Sequence, residues 1–268
     1  MVLEHSLLNI RKLDTLSLQS SPIHKLDPRS KLITTLGFII TVISFPRYEL
    51  AQLLPFLLYP LFLLYGGNIP LGYLLKKVAI VSPFALFIAI WGPLTDHEVV
   101  FRLFSLPVSA GIISFSSIML RFLLTVLATL VLIAGTGFIP LCYALIRLKV
   151  PTVLATQLLF LYRYLYVLVE EALRMVRAEH IRSLRNKMRF GTFKHILGSL
   201  LLRTIDRAER IHAAMMCRGF AGTFRVKKTA AFKTADLFFI VGWVGFFVSA
   251  RIYNLPLILG NLIMGATA

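Results

Sequence analysis

The chain has 268 residues, a mean hydropathy of +0.80 and only 15% charged side chains, against about 25% in an ordinary soluble domain. One soluble core could not bury so much apolar side chain, so the excess must face lipid. The 29 basic residues against 12 acidic ones give +17. Nucleic acid is not the expected partner, because it leaves the apolar runs unexplained, whereas cytoplasmic segments of membrane proteins concentrate Lys and Arg and meet an anionic leaflet.

The start, Met1 to Asp27, carries Glu4, Arg11, Lys12 and Asp14 and no apolar stretch, so it is not expected to be a cleaved signal peptide. The first predicted span is Leu32 to Phe45, stopped by Pro46. It is introduced by Asp27-Pro28-Arg29-Ser30-Lys31, in which Asp27 can cap the helix and Pro28 can occupy its first position. The second runs from about Leu50 to Tyr65 and ends at Gly66-Gly67; the third, after Lys76-Lys77, is Val78 to Trp91; the fourth is Ile112 to Ala134. Several of these fall short of the roughly 20 residues a spanning helix needs, so the helices are expected to extend into their flanks or to thin the bilayer. Bases cluster before span one and between spans two and three, which puts the N-terminus in the cytoplasm.

The next hundred residues differ in kind. From Glu170 to Lys233 there are 15 Lys and Arg against five Asp and Glu. Leu154, Leu158, Leu161, Leu165, Val169, Ala172 and Val176 recur at helical spacing, and Leu197, Leu200, Leu201, Ile205, Ala208, Ile211 and Met215 do so again. They predict two long amphipathic helices, preceded by a shorter one at Pro140 to Lys149, with Glu170–Arg174 and Asp206–Arg210 as favourable i,i+4 pairs. A last span follows Asp236, from Leu237 to Ala250, and the apolar tail Leu255 to Ala268 either lengthens it or returns as a further helix. The fold class is thus all-α and polytopic. It has five transmembrane helices, six if the tail returns, and a cytoplasmic helical domain between spans four and five. The divisions are a cytoplasmic segment (1–31), spans one to four (32–136), the cytoplasmic domain (137–235) and a C-terminal membrane segment (236–268).

Both long helices end alike. Ala178 and Arg182 are followed by Ser183, and Ala214 and Arg218 by Gly219. Ala and Arg four apart share a helix face, so the small residue clears space beside a guanidinium able to grip partner carboxylates in bidentate fashion. Gly219 suits the left-handed residue that ends a helix. An arginine that merely complements a helix dipole is the plainer reading of one such end, but two on consecutive helices point to a docking device.

These paired signatures resemble those of the transmembrane (T) component of energy-coupling-factor (ECF) transporters, the EcfT family, in its metal-type CbiQ/NikQ branch. Leu13-Asp14 with Ser21, the stretch Leu26 to Leu32, and Tyr162-Arg163-Tyr164 are similar too. Ser183 departs from the glycine usual in the first signature. The resemblance implies a multi-pass protein of a prokaryotic cell (inner) membrane that couples two cytoplasmic ABC-type ATPases to a small substrate-binding membrane subunit, a metal-type S component, for cobalt or nickel uptake. ATP and magnesium would belong to the ATPases, and this chain would bind no cofactor. That fits the lack of a Gly-x-x-x-x-Gly-Lys-Ser/Thr phosphate loop.

The remaining candidates are weaker. Arg121 lies within span four, where a charge is costly and often functional, although it could snorkel to the outer surface. Arg163 is expected to order the cytoplasmic domain, and Asp27, Pro28 and Arg29 to serve structure or coupling. No HExxH or paired-His spacing occurs, so no metal site is expected; Cys142 and Cys217 form no CxxC, and Cys217 beside Arg218 is expected to stay an inert thiol. A pore-forming permease of an ordinary ABC importer and a membrane enzyme are the competing readings. The first usually docks through one short helix, and the second calls for clustered acidic or His residues that this sequence scatters.

Overall fold

The computed structural model describes residues 17, 21, 23–46, 49–91, 99–103, 106–183, 190–220 and 232–253. They form α1 (Pro28–Ile43), a 3-10 helix (Ala51–Leu57), α2 (Leu58–Gly67), α3 (Leu71–Ala89), a hairpin of β1 (Val99–Leu103) and β2 (Leu106–Ser109), α4 (Ala110–Thr136), α5 (Phe138–Arg147), α6 (Thr152–Ser183), α7 (Phe190–Cys217) and α8 (Thr234–Ile252). The protein is an all-α polytopic membrane protein, the two-stranded ribbon being its one departure among the described residues. The chain forms two compact units: residues 16–137 with 230–268, and residues 1–15 with 138–229.

In the first unit α1 packs on α4 and α8, and α4 also packs on α2 and α3. Its core is aromatic. Phe38 stacks on Tyr59 with centroids 4.8 Å apart, Trp243 meets Tyr59 edge-on at 4.9 Å, and Phe247 lies 5.5 Å from Phe38. Each ring brings large area and a geometry-dependent attraction, which ties α1, α2 and α8 together. The outward faces carry Ile80, Phe84, Phe87, Phe238 and Val241, all exposed, as expected of helices whose solvent is lipid.

The directions of the helices follow from which ends meet. Asp27 before α1 hydrogen-bonds Asp236 at the start of α8, and Lys31 reaches Gly135 at the end of α4. On the opposite side the end of α1 meets the end of α8, where Arg251 donates to the Ser44 carbonyl at 3.3 Å. There it also meets the first half of α4, where Arg121 donates to the Pro46 carbonyl. Hence α1 and α8 run one way and α4 returns.

Several predicted boundaries move. The second run is not one regular helix: Pro55, which lacks an N–H, sits in the 3-10 stretch before α2. Its end is not made by Gly66-Gly67, both helical, but by Asn68 at φ 50, the left-handed residue whose neighbour Ile69 bonds back to Leu64. Gly66 serves close approach instead, since a Cβ there would meet Ile23 Cδ1. Helix α3 begins at Leu71, taking in Lys76 and Lys77, and α4 gains two residues at each end, so the short predicted runs do extend into their flanks. The tail, residues 254–268, lies outside the described residues, as do Leu13 and Asp14.

Four described helices are long and apolar enough to cross a membrane: α3, α4, α6 and α8. Helix α1, at 16 residues, is shorter. Helix α6, expected as the first amphipathic helix of the cytoplasmic domain, is among the four by length and composition alone. Its residues 152–169 carry a single charge, Arg163, and the charged half begins at Glu170.

Candidate functional site

The second unit is built from α5, α6 and α7. Helix α5 ends at Lys149, φ 64, with Val150 N–H bonded to Leu145 O; Pro151 then bars continuation. Phe138 at the start of α5 stacks on Tyr162 of α6 at 4.5 Å, and the Tyr162 and Tyr166 hydroxyls lie 3.1 Å apart. These rings pack this corner. Arg163, also on α6, is exposed and makes no ion pair among the described residues. Burial pushes the Cys142 thiol of α5 up to about 11, so it stays protonated and unreactive.

Helices α6 and α7 form an antiparallel pair. Ser199 donates to Met175 Sδ at 3.4 Å, and Arg203 to Glu171 Oε1 at 2.6 Å, so one number rises as the other falls. Glu171 also pairs with Arg174 at 3.0 Å. The expected Glu170–Arg174 and Asp206–Arg210 pairs are not among the ion pairs of the described residues; Glu171 instead takes Arg174 of its own helix and Arg203 of α7.

The antiparallel arrangement sends the two signatures apart. Ala178 and Arg182 are exposed near the end of α6, which is helical through Ser183; the residues that follow, 184–189, lie outside the description. Ala214 and Arg218 are exposed at the far end of α7. Here the termination is fully resolved. Gly219 has φ +74, its N–H bonds to Met216 O at 2.9 Å, and Phe220 N–H bonds to Met215 O at 3.0 Å. Those two bonds about a left-handed glycine satisfy the last carbonyls of α7 and leave Arg218 as the capping residue. Counting about 1.5 Å per residue outward from the Glu171–Arg203 pair, Arg182 and Arg218 stand up to about 40 Å apart.

Between the first half of α6 and the second half of α7 lies an open apolar groove of about 430 Å³, lined among others by Phe160, Tyr164, Leu168, Ile211, Met215 and Phe220. The sequence shows both apolar stripes but not that they part to leave this space.

Asp27, Pro28 and Arg29 lie in the first unit. Asp27 caps α1, accepting from Arg29 N–H at 2.9 Å, with Pro28 at the first helical position. Arg29 folds back toward it at 3.7 Å. Two residues missed as partners complete the group. Asp236 accepts from Asp27 N–H at 2.8 Å and from Lys233 N–H at 2.9 Å, and Lys31 donates to Gly135 O at 3.1 Å. Both are almost fully buried. Their signal was present, since a charge at the edge of an apolar span needs a partner. Arg121 donates to the Pro46 carbonyl beyond the end of α1, and Arg251 lies 4.6 Å over the Phe45 ring. Among the described residues no three His, Cys, Asp or Glu side chains gather as metal ligands.

Comparison with known proteins agrees with this architecture. The sequence profile of the CbiQ family, described as cobalt transport protein, matches residues 19–229. The energy-coupling factor transporter transmembrane protein EcfT of Bacillus subtilis is 27% identical, over 76% of this chain and 82% of that protein. An uncharacterised protein of Methanocaldococcus jannaschii is 24% identical over 78% and 81%. The cobalt transport protein CbiQ of Rhodobacter capsulatus is 33% identical over a shorter stretch, 31% of this chain and 35% of that protein.

Proposed function

The chain belongs to the CbiQ family of cobalt transport proteins and is a membrane component of an energy-coupling-factor transporter, and from that premise we propose that it is the scaffold coupling two ATPases to a substrate-binding membrane subunit. The observation that carries this is the separation of Arg182 and Arg218. Both are exposed, both sit beside a small alanine, and the antiparallel pair points them opposite ways. No single groove could take both arginines at up to about 40 Å, so each serves one ATPase subunit. A movement closing the two ATPases would then load α6 and α7 from both ends at once. The apolar groove between the helices offers a face for the small membrane subunit. Cobalt or nickel is the cargo, carried by that subunit, and ATP with magnesium belongs to the ATPases, so this chain is not itself catalytic. The N-terminus and the second unit face the cytoplasm, following the loop bases.

The test is capture of the ATPases by Arg182→Ala, Arg218→Ala and the double variant, beside metal uptake in cells. Removing one side of a buried charge pair costs about 2–5 kcal/mol, so each single variant should weaken assembly, and the double should lose the avidity of two docking points. Lys in place of Arg should rescue partly, lacking the planar fork. Full assembly and normal uptake by the double Ala variant would refute the proposal.

A further inference from the structure

Three helix ends converge within the first unit, and each carries the charge that suits it. Helix α1 begins at Asp27 and α8 at Asp236, so two carboxylates sit at two N-termini; α4 ends at Thr136, and the Lys31 ammonium sits on the Gly135 carbonyl of its last turn. Asp27, Lys31 and Asp236 are all buried, and the Asp27–Asp236 bond beside the Lys31–Gly135 bond links α1 to both α8 and α4. The neighbouring turn of α1 is polar as well. Thr34 and Thr35 share the Tyr59 hydroxyl at 3.1 and 2.7 Å, and Ser30 donates to Asp27 O at 2.7 Å. Hydrophobic packing alone would not ask for so many buried polar groups at one place.

The position of the lysine gives the cluster its use. Two residues after Gly135, Gly137 adopts φ +82 while its N–H still bonds to Ile133 O at 2.8 Å. Gly137 is the last residue of the first unit before the chain passes into the second at Phe138. It is therefore one of the covalent joints between the membrane helices and the unit bearing both signatures, the one that follows α4 directly. A force on that unit reaches α4 at its least braced point, where the last carbonyls lack helical partners.

We propose that Lys31 is a positioning residue for energy coupling: with Asp236 and Asp27 it clamps the last turn of α4 to α1 and α8, so that force crossing Gly137 moves the membrane helices instead of unwinding that turn. This rests on the scaffold reading above. Without the clamp the ATPases still dock and still hydrolyse ATP, because Lys31 is remote in sequence from either signature, but less of the motion reaches the membrane helices.

The experiment uses the whole complex in liposomes and reads cobalt taken up per ATP hydrolysed, for wild type, Lys31→Met and the double variant Lys31→Met/Asp236→Asn. The double variant removes the Lys31 and Asp236 charges together, so that Asp236 is not left buried without the nearby cation, while Asp27 keeps Arg29 at 3.7 Å. The expected result is ATPase capture and hydrolysis near wild type with uptake per ATP reduced at least about fivefold, the lower range of coupling between linked sites. Amide exchange at residues 133–137 should quicken in parallel. A wild-type uptake ratio in the double variant would overturn the proposal. Capture, hydrolysis and uptake all falling together would also overturn it, by making the cluster a folding element. A wild-type chain that captures no ATPase would instead overturn the scaffold reading, and the clamp's role with it.

Discussion

Gly219→Ala isolates the backbone geometry that presents Arg218. A Cβ at this position would meet nothing within 4 Å, so no side-chain clash complicates the change. What remains is φ +74, where an L-residue with a Cβ pays about 1–2 kcal/mol. If relief of that strain opens the bonds from Gly219 and Phe220 back to Met216 and Met215, Arg218 is released from its capping position. A penalty of this size corresponds to a factor of about 5–30, and the apparent affinity for an ATPase falls by the loss of the binding-competent conformation. Binding of the purified ATPases to the variant in detergent, by titration, should show a Kd raised within that range. Gly219→Asn, which tolerates the left-handed region, should recover most of the loss. Gly198→Ala, in the interior of α7 with open space around it, should leave binding unchanged. Wild-type affinity for Gly219→Ala would refute the idea that this turn sets the aim of Arg218.

Lys149→Gly removes a side chain from the other left-handed helix end of the same unit, at φ 64. It should stabilise the protein by about 1 kcal/mol, the backbone penalty less the extra entropy a glycine loses on folding, as read by thermal unfolding in detergent. For orientation, single cysteines in a background without Cys142 and Cys217 should label differently. Glu49→Cys, past the end of α1, should react from outside intact cells, and Lys194→Cys, on α7, only after permeabilisation; the reverse pattern would overturn the cytoplasmic assignment.

Much of the fold was legible because lipid imposes a simple rule on sequence. Apolar runs bounded by Pro, Gly or charge mark membrane helices, and the 3.6-residue recurrence from Leu154 and from Leu197 marks α6 and α7. The signatures were legible for a local reason: the Ala-to-Arg spacing and the glycine after Arg218 are properties of a single helix and its end. The cap at Asp27 is equally local. Side-chain partners were less so. Glu171 rather than Glu170 pairs with Arg174, because the choice depends on where Arg203 of the neighbouring helix lies.

What the sequence by itself determined is therefore what is set by one segment and its solvent: helix content, membrane residence and the positions of the two signature arginines near helix ends. What only the tertiary structure decided is whatever joins segments far apart in the chain. Asp236 receives the N–H of Asp27 across 209 positions, and Lys31 meets Gly135 across 104. No periodicity encodes such pairings, because a buried charge requires a partner but not one at any fixed spacing. The same holds for the antiparallel crossing that carries Arg182 and Arg218 to opposite ends, since their separation is a property of two helices packed together and of neither alone.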